Sequence, residues 1–277
     1  MPIVDVHVHT AYTEQTPESF AAYMADHISG DLDAFVKEFR RPERFLELMD
    51  DNGVDYACVL AEIVPVTSGI ATNELVRDFC RASPRLIPVC SVNPYIHHEP
   101  ARLLERLVRE EGFRGLKLYP TYASFYPNDR RLYPVYAVAE ELGIPVQVHT
   151  GSSVFRGSRL KYGDPLFLDD VAVDFPSLQI LVTHGGRPFW YDHAQALCRL
   201  HPNVYVDIAG LPPRKLPEYF PDLPRLAHKF VFGSDWPGLP GTVADNIAAI
   251  RALPVSEEGK AAILGETAMR LFRIEPT

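Results

Sequence analysis

Cysteine is scarce in this chain, with four in 277 residues and none in C-x-x-C spacing. Cys58 and Cys90 fall in apolar strand-like runs, and Cys80 and Cys198 fall in helical patterns, so all four are expected as buried, reduced thiols. No apolar run approaches the roughly 18 residues that a membrane-spanning helix needs, and the N-terminus enters a strand rather than a cleavable leader. The expectation is a cytoplasmic protein with no membrane partner. Positive charge is also in deficit: 27 Lys and Arg against 36 Asp and Glu leave a formal charge of -9. That balance argues against nucleic acid or an anionic membrane surface as the main partner, while leaving room for a local basic pocket. Short-period repeats, low-complexity tracts and Pro/Ser linkers are absent, so residues 1–277 are expected to form one domain.

What is present is a regular alternation. Strand patterns at 2–10, 54–61, 86–92, 114–119, 144–149, 178–184, 204–208 and 229–235 are each followed by a helical pattern. Strict β-α order implies a parallel sheet with helices outside it, and eight units suit a single (β/α)8 TIM barrel. An open doubly wound sheet is the runner-up, but no strand end offers the G-x-G-x-x-G turn that it would need. Between Thr10 and Arg41 lies a long insertion with helical patterns near Pro17–His27 and Leu32–Phe39, which reads as a lid. After the eighth unit an extra helix is expected over Glu257–Phe272.

The active site of such a barrel lies at the C-terminal ends of its strands. Read in order, those ends carry His7 and His9, then Glu62, Asn93, Lys117, His149, His184, Asp207 and Asp235. Alternation along the first strand places Asp5, His7 and His9 on one face, opposite Val4, Val6 and Val8. Two imidazoles leaving one side of a strand end can share a metal ion. His149, His184 and Asp235 each end an apolar run, and burying such groups together without a cation would leave them unpaired.

The ordered set of His-x-His on strand one, His on strands five and six and Asp on strand eight resembles the amidohydrolase superfamily. More narrowly, the chain is similar to the amidohydrolase-related branch that includes aminocarboxymuconate-semialdehyde decarboxylase, resorcylate-type decarboxylases and various hydrolases. The segments Gly112–Leu118, Gly233–Pro237 and Ile263–Phe272 extend the similarity over nearly the whole chain. The resemblance implies that His7, His9, His149 and Asp235 ligate one divalent ion. Three imidazoles and a carboxylate favour Zn2+, with Mn2+, Fe2+ and Ni2+ compatible by donor type. Asp235 would also orient or deprotonate a bound water and return the proton, and His184 would act in acid-base chemistry or stabilise an oxyanion. Lys117 stands where binuclear superfamily members carry a carboxylated lysine bridging two metals. An ordinary ammonium that holds a carboxylate or a substrate anion is the preferred reading.

Asp5 is a candidate for metal ligation or for fixing a ligating ring, and Glu62 and Asp207 are candidates for orienting the ligands. Lys117, Arg156, Arg187 and Trp236 are candidates for substrate contact. Tyr119, Tyr122, Phe125 and Tyr126 after strand four, with Phe189, Trp190 and Tyr191 after strand six, could line a pocket for a planar ring. Arg156, Arg159, Lys161 and Arg187 could recognise a carboxylate. The leading expectation is hydrolysis of an amide, ester or lactone of a small organic acid, aromatic rings included, by a metal-activated water. The alternative is a non-oxidative, metal-dependent decarboxylation on the same scaffold. The insertion and the final helix could support a homodimer.

Overall fold

The computed structural model describes residues 1–28, 30–238 and 242–276. Eight parallel strands follow one another around a single sheet: β1 Val4–His9, β2 Tyr56–Leu60, β3 Leu86–Ser91, β4 Leu116–Leu118, β5 Val146–His149, β6 Ile180–Thr183, β7 Val204–Asp207 and β8 Phe230–Val231. The last strand is short because the chain beyond it turns to meet β1. The Val6 amide donates to the Phe232 carbonyl at 2.9 Å, the Asp235 amide to the His7 carbonyl at 2.9 Å, and the His9 amide to the Trp236 carbonyl at 2.8 Å. These bonds complete the barrel, as the β-α alternation predicts.

Helices flank every strand, and their ends follow local chemistry. The helix after β3 runs Pro100–Glu111, with proline in the first turn, where its missing N–H costs nothing. It stops at Gly112, whose φ of 82° is a left-handed value that glycine adopts without a Cβ penalty. The final helix differs from the unbroken run expected. A π turn at Ala262–Glu266 interrupts it, and the Ile263 carbonyl there accepts the Phe232 amide at 2.9 Å. Beyond it, Ala268, Leu271, Phe272 and Ile274 pack against Val4, Val6, Tyr56 and Val231, which closes the N-terminal mouth of the barrel with apolar side chains.

The first strand corrects the face assignment made from simple alternation. Between Asp5 and Val8 its register against β2 slips by one residue, a β-bulge. Val4 and Val6 therefore pack in the barrel interior with Leu60, Val89, Leu181 and Val231. Val8 packs among the outer residues, His7 and His9 line the cavity within the barrel mouth, and Asp5 does not. One inserted residue thus reverses the side of Asp5 relative to the two histidines.

The insertion after β1 contains helices Glu18–His27 and Leu32–Phe39, close to the expected positions. A short antiparallel hairpin, Glu62–Val64 with Gly69–Ala71, was not anticipated. Ile70 of this hairpin exchanges backbone hydrogen bonds with Gln15, so the hairpin grips the start of the insertion. The four cysteines are free and buried. Among the described residues no helix is long and apolar enough to cross a membrane.

Candidate active site

The C-terminal mouth of the barrel holds a cavity of about 280 Å³. At its floor, His7 Nε2 lies 3.2 Å from His9 Nε2, and Asp235 Oδ1 lies 3.2 Å from the first nitrogen and 3.5 Å from the second. Carboxylates hold the far side of both rings. His7 Nδ1 donates to Asp207 Oδ2 at 2.7 Å, and Asp207 Oδ1 accepts the Ala209 amide at 2.9 Å. His9 Nδ1 sits 3.3 Å from Glu62 Oε2, while the Ser68 hydroxyl donates to Glu62 Oε1. With each Nδ1–H given to a carboxylate, the two Nε2 lone pairs and the Asp235 oxygen converge on one point. Three acceptors this close require a cation between them or a proton on one of them.

The titration behaviour of His9 expresses the same demand. Burial works against its charged form, but the hydrogen bonds to Asp235 and Glu62 outweigh burial and raise its pKa to about 9. Burial also opposes ionisation of Asp235, yet His7 and His184 hold its carboxyl well below the usual range. A divalent ion satisfies all three groups at once, and His, His and carboxylate are suitable donors. His7, His9 and Asp235 place their donor atoms within 4.8 Å of one another. His149 stands outside that triplet, although its buried Nε2 has no hydrogen-bond partner. Burial, with Lys117 and Arg187 nearby, pushes its pKa well below the imidazole value, so the ring is neutral and its unpaired nitrogen is free to accept a cation. The residues fit the group that the sequence implies.

His149 and His184 are brought together by their flanks. The Thr150 hydroxyl donates to the Thr183 carbonyl at 2.6 Å and accepts the Gly186 amide at 2.9 Å, lacing the ends of β5 and β6. The two rings meet with centroids 4.7 Å apart. His184 Nδ1 donates to the Ala209 carbonyl at 2.6 Å, which leaves Nε2 as an acceptor. Burial, reinforced by Arg187, drives its pKa well down and keeps this ring neutral too. Gly233 is needed beside these groups, since a Cβ there would lie 2.6 Å from Asp207 Oδ1 and 2.7 Å from His7 Cβ.

Several other sequence-selected residues fall in this cavity and several do not. Glu62, Lys117, Arg187, Tyr119 and Tyr122 line it. Arg187 donates to the Gly210 carbonyl at 2.9 Å and approaches Asp235 Oδ2 at 3.7 Å. Arg156 is exposed and lies outside the lining, because its loop turns the side chain to solvent. Trp236 is also outside the lining: its ring packs, tilted or edge-on, against Phe35, Phe39 and Phe45 at centroid distances of 5.9, 5.0 and 5.0 Å. Asp5 accepts the His7 and Ser234 amides at 3.1 and 2.9 Å, so it fixes backbone rather than a ring. Burial raises its pKa to about 6. Tyr126 packs on Tyr162 and Phe167, and Tyr191 on Tyr219, away from the cavity.

The walls that sequence reading missed come from the insertion and the β5 loop. Phe20, Tyr23 and Met24 reach the cavity from Glu18–His27, and Ser152, Ser153 and Phe155 from the loop after His149. Phe155 meets Phe20 and Tyr23 at 5.2 Å each and Tyr122 at 5.8 Å. Tyr23 also donates its hydroxyl to the Gly238 carbonyl at 2.7 Å, tying the insertion to the segment after Asp235. For Phe20 and Tyr23 the signal in the sequence was present only as aromatics on a helix of no assigned face.

The family model described as Amidohydrolase matches residues 4–274. The chain belongs to the amidohydrolase family. Among solved structures, this amidohydrolase is similar to an uncharacterised TIM-barrel protein, Bb4693, from Bordetella bronchiseptica, with 23% identity, a TM-score of 0.79 and 99% of each chain covered. It is also similar to a 5-carboxyvanillate decarboxylase from Novosphingobium aromaticivorans, solved with manganese and 3-methoxy-4-hydroxy-5-nitrobenzoic acid. There the identity is 18% and the TM-score 0.71, over 99% of this chain and 97% of that one. A 2,6-dihydroxybenzoate decarboxylase from Rhizobium gives 18% identity and a TM-score of 0.68, with 100% of both chains covered. At these identities the likeness establishes the fold that these proteins share with this chain.

Proposed function

We propose that this amidohydrolase is a metal-dependent, non-oxidative decarboxylase of a small planar aromatic acid. The observation that carries the reading is the juxtaposition, in one ring-lined cavity, of the His7, His9 and Asp235 cluster with the Arg187 guanidinium. The two decarboxylases of aromatic acids among its structural relatives support it and favour it over hydrolysis. A divalent ion held by His7, His9 and Asp235, with His149 offering its unpaired Nε2, supplies positive charge that polarises a substrate oxygen. Zinc follows from the donor set, and manganese from the carboxyvanillate relative; both are ions to test.

The remaining work falls to the chain itself. Tyr122 and Phe155 supply aromatic wall for a planar substrate, and Phe20, Tyr23 and Met24 add apolar cover that excludes water. Arg187 receives the carboxylate that is lost. The bond from ring carbon to carboxyl carbon breaks, its electron pair stays on the ring carbon, and carbon dioxide leaves. A proton then closes the ring C–H bond, so that RCOO⁻ and H⁺ become RH and carbon dioxide. That proton comes from solvent, and Asp235 and His184, which are 3.9 Å apart at Oδ2 and Nδ1 and each have an acceptor atom free, are the groups placed to take it up and pass it to the ring carbon.

The test is a product assay. Protein loaded with Mn2+ or Zn2+ is incubated with a panel of hydroxylated benzoates, and both carbon dioxide and the arene are quantified. The proposal predicts equimolar carbon dioxide and shortened arene. Water uptake with two fragments from ester, amide or lactone substrates, and no carbon dioxide from any acid, would return the assignment to hydrolysis.

A further inference from the structure

Lys117 is a buried charge that the proposed chemistry leaves without a task. It points inward from the middle of β4, is 0% exposed, and lines the cavity. An ammonium has three N–H donors. One reaches Thr183 Oγ1 at 3.2 Å, and the Tyr119 ring centroid lies 5.4 Å from Nζ. Gln147, the register partner of Lys117 on β5, has a buried Oε1 with no donor, so a bridging water could take a second N–H. A third donor then remains for the cavity. Among the described residues Lys117 makes no ion pair; Asp207, Asp235 and Glu62 attract it only from further away. Burial outweighs that attraction and lowers its pKa to about 8.

A buried cation of this kind is stable when an anion or a strong acceptor completes its shell. We infer that Lys117 forms a second anion subsite in the cavity, which takes an ionised oxygen, carboxylate or phenolate, on the same substrate whose first carboxylate meets Arg187. The inference rests on the reading that this cavity binds a planar organic acid. It narrows that class to acids with two oxyanion substituents, and it assigns Lys117 to recognition rather than to a metal bridge. The same arrangement gives an otherwise acidic protein two cations in the one cavity where an organic dianion would enter.

The experiment is calorimetric titration of the manganese-loaded protein with benzoate, the three benzenedicarboxylates and the three hydroxybenzoates. Wild type is compared with Lys117→Met and Lys117→Gln, two variants of similar length whose folding is checked by thermal unfolding. A charge-assisted hydrogen bond predicts that at least one disubstituted acid binds wild type roughly tenfold or more tightly than benzoate. That advantage should vanish in both variants, while benzoate binding falls by a smaller factor. The position and kind of the favoured substituent distinguish carboxylate from phenolate. An advantage that persists undiminished in both variants would overturn the subsite while leaving the planar-acid reading in place. Failure of all seven acids to bind wild type would overturn both.

Discussion

Replacing Asp207 by Asn tests whether the carboxylate behind His7 sets the metal site. Asp207 uses both oxygens as acceptors, one for His7 Nδ1–H at 2.7 Å and one for the Ala209 amide at 2.9 Å. Asparagine has one acceptor oxygen and one donor group, so it can satisfy only one of these hydrogens. If its oxygen stays on Ala209, its NH₂ faces His7 Nδ1 and favours the tautomer protonated at Nε2, the nitrogen aimed at Asp235 and His9. If it turns over, the buried Ala209 amide loses its acceptor. Partners of this kind behind a ligating imidazole are worth about 10- to 100-fold in metal affinity, or about 1.4–2.7 kcal/mol. The assay is competition for Mn2+ or Zn2+ against a chromophoric chelator. Asp207→Asn with unchanged affinity and unchanged stability would refute the claim that Asp207 fixes the His7 tautomer.

Other outcomes follow from neighbouring contacts. His184→Asn keeps an N–H for the Ala209 carbonyl but removes the free ring nitrogen, so metal content should persist while turnover falls about 10²- to 10⁴-fold; full turnover would remove His184 from the chemistry. Asp5 has a folded pKa of about 6, above the ordinary 3.8, so its protonated form is the stabilising one: that contribution is complete below about 4 and is lost as pH rises through 6. Asp5→Asn, which keeps an acceptor for the His7 and Ser234 amides, should therefore gain up to about 3 kcal/mol at pH 7 and nothing at pH 4 in urea unfolding, and an equal effect at both pH values would contradict this origin. Trp236→Ala should cost about 3 kcal/mol through lost packing with Phe35, Phe39 and Phe45, yet leave metal affinity within about twofold, measured by unfolding and by the chelator assay.

Much of this architecture was legible from residue order because the strand ends of a barrel are one place in space. Asp235 lies more than two hundred residues from His7 and His9, yet all three stand at strand ends, and the closing of the sheet brings them together. What escaped notice depended on departures from regular geometry. A bulge in β1 moved Asp5 off the face of the histidines, which simple alternation cannot reveal. Trp236 follows the conspicuous Asp235, but the neighbouring side chain turns outward onto the insertion. Arg156 has the right charge and sits one residue after Phe155, which lines the cavity, but faces solvent. Phe20 and Tyr23 entered the site because the hairpin at Ile70 grips Gln15 and so fixes where the insertion lies. No local pattern encodes that long-range pairing.

The most direct test of the account is elemental analysis of protein purified without added metal, alongside His7→Ala and Asp235→Ala. The account predicts about one divalent ion per chain in wild type and loss of that ion in both variants, with the barrel still folded by circular dichroism. Two ions per chain, or metal content unchanged in the variants, would contradict a single ion held at the convergence of His7, His9 and Asp235.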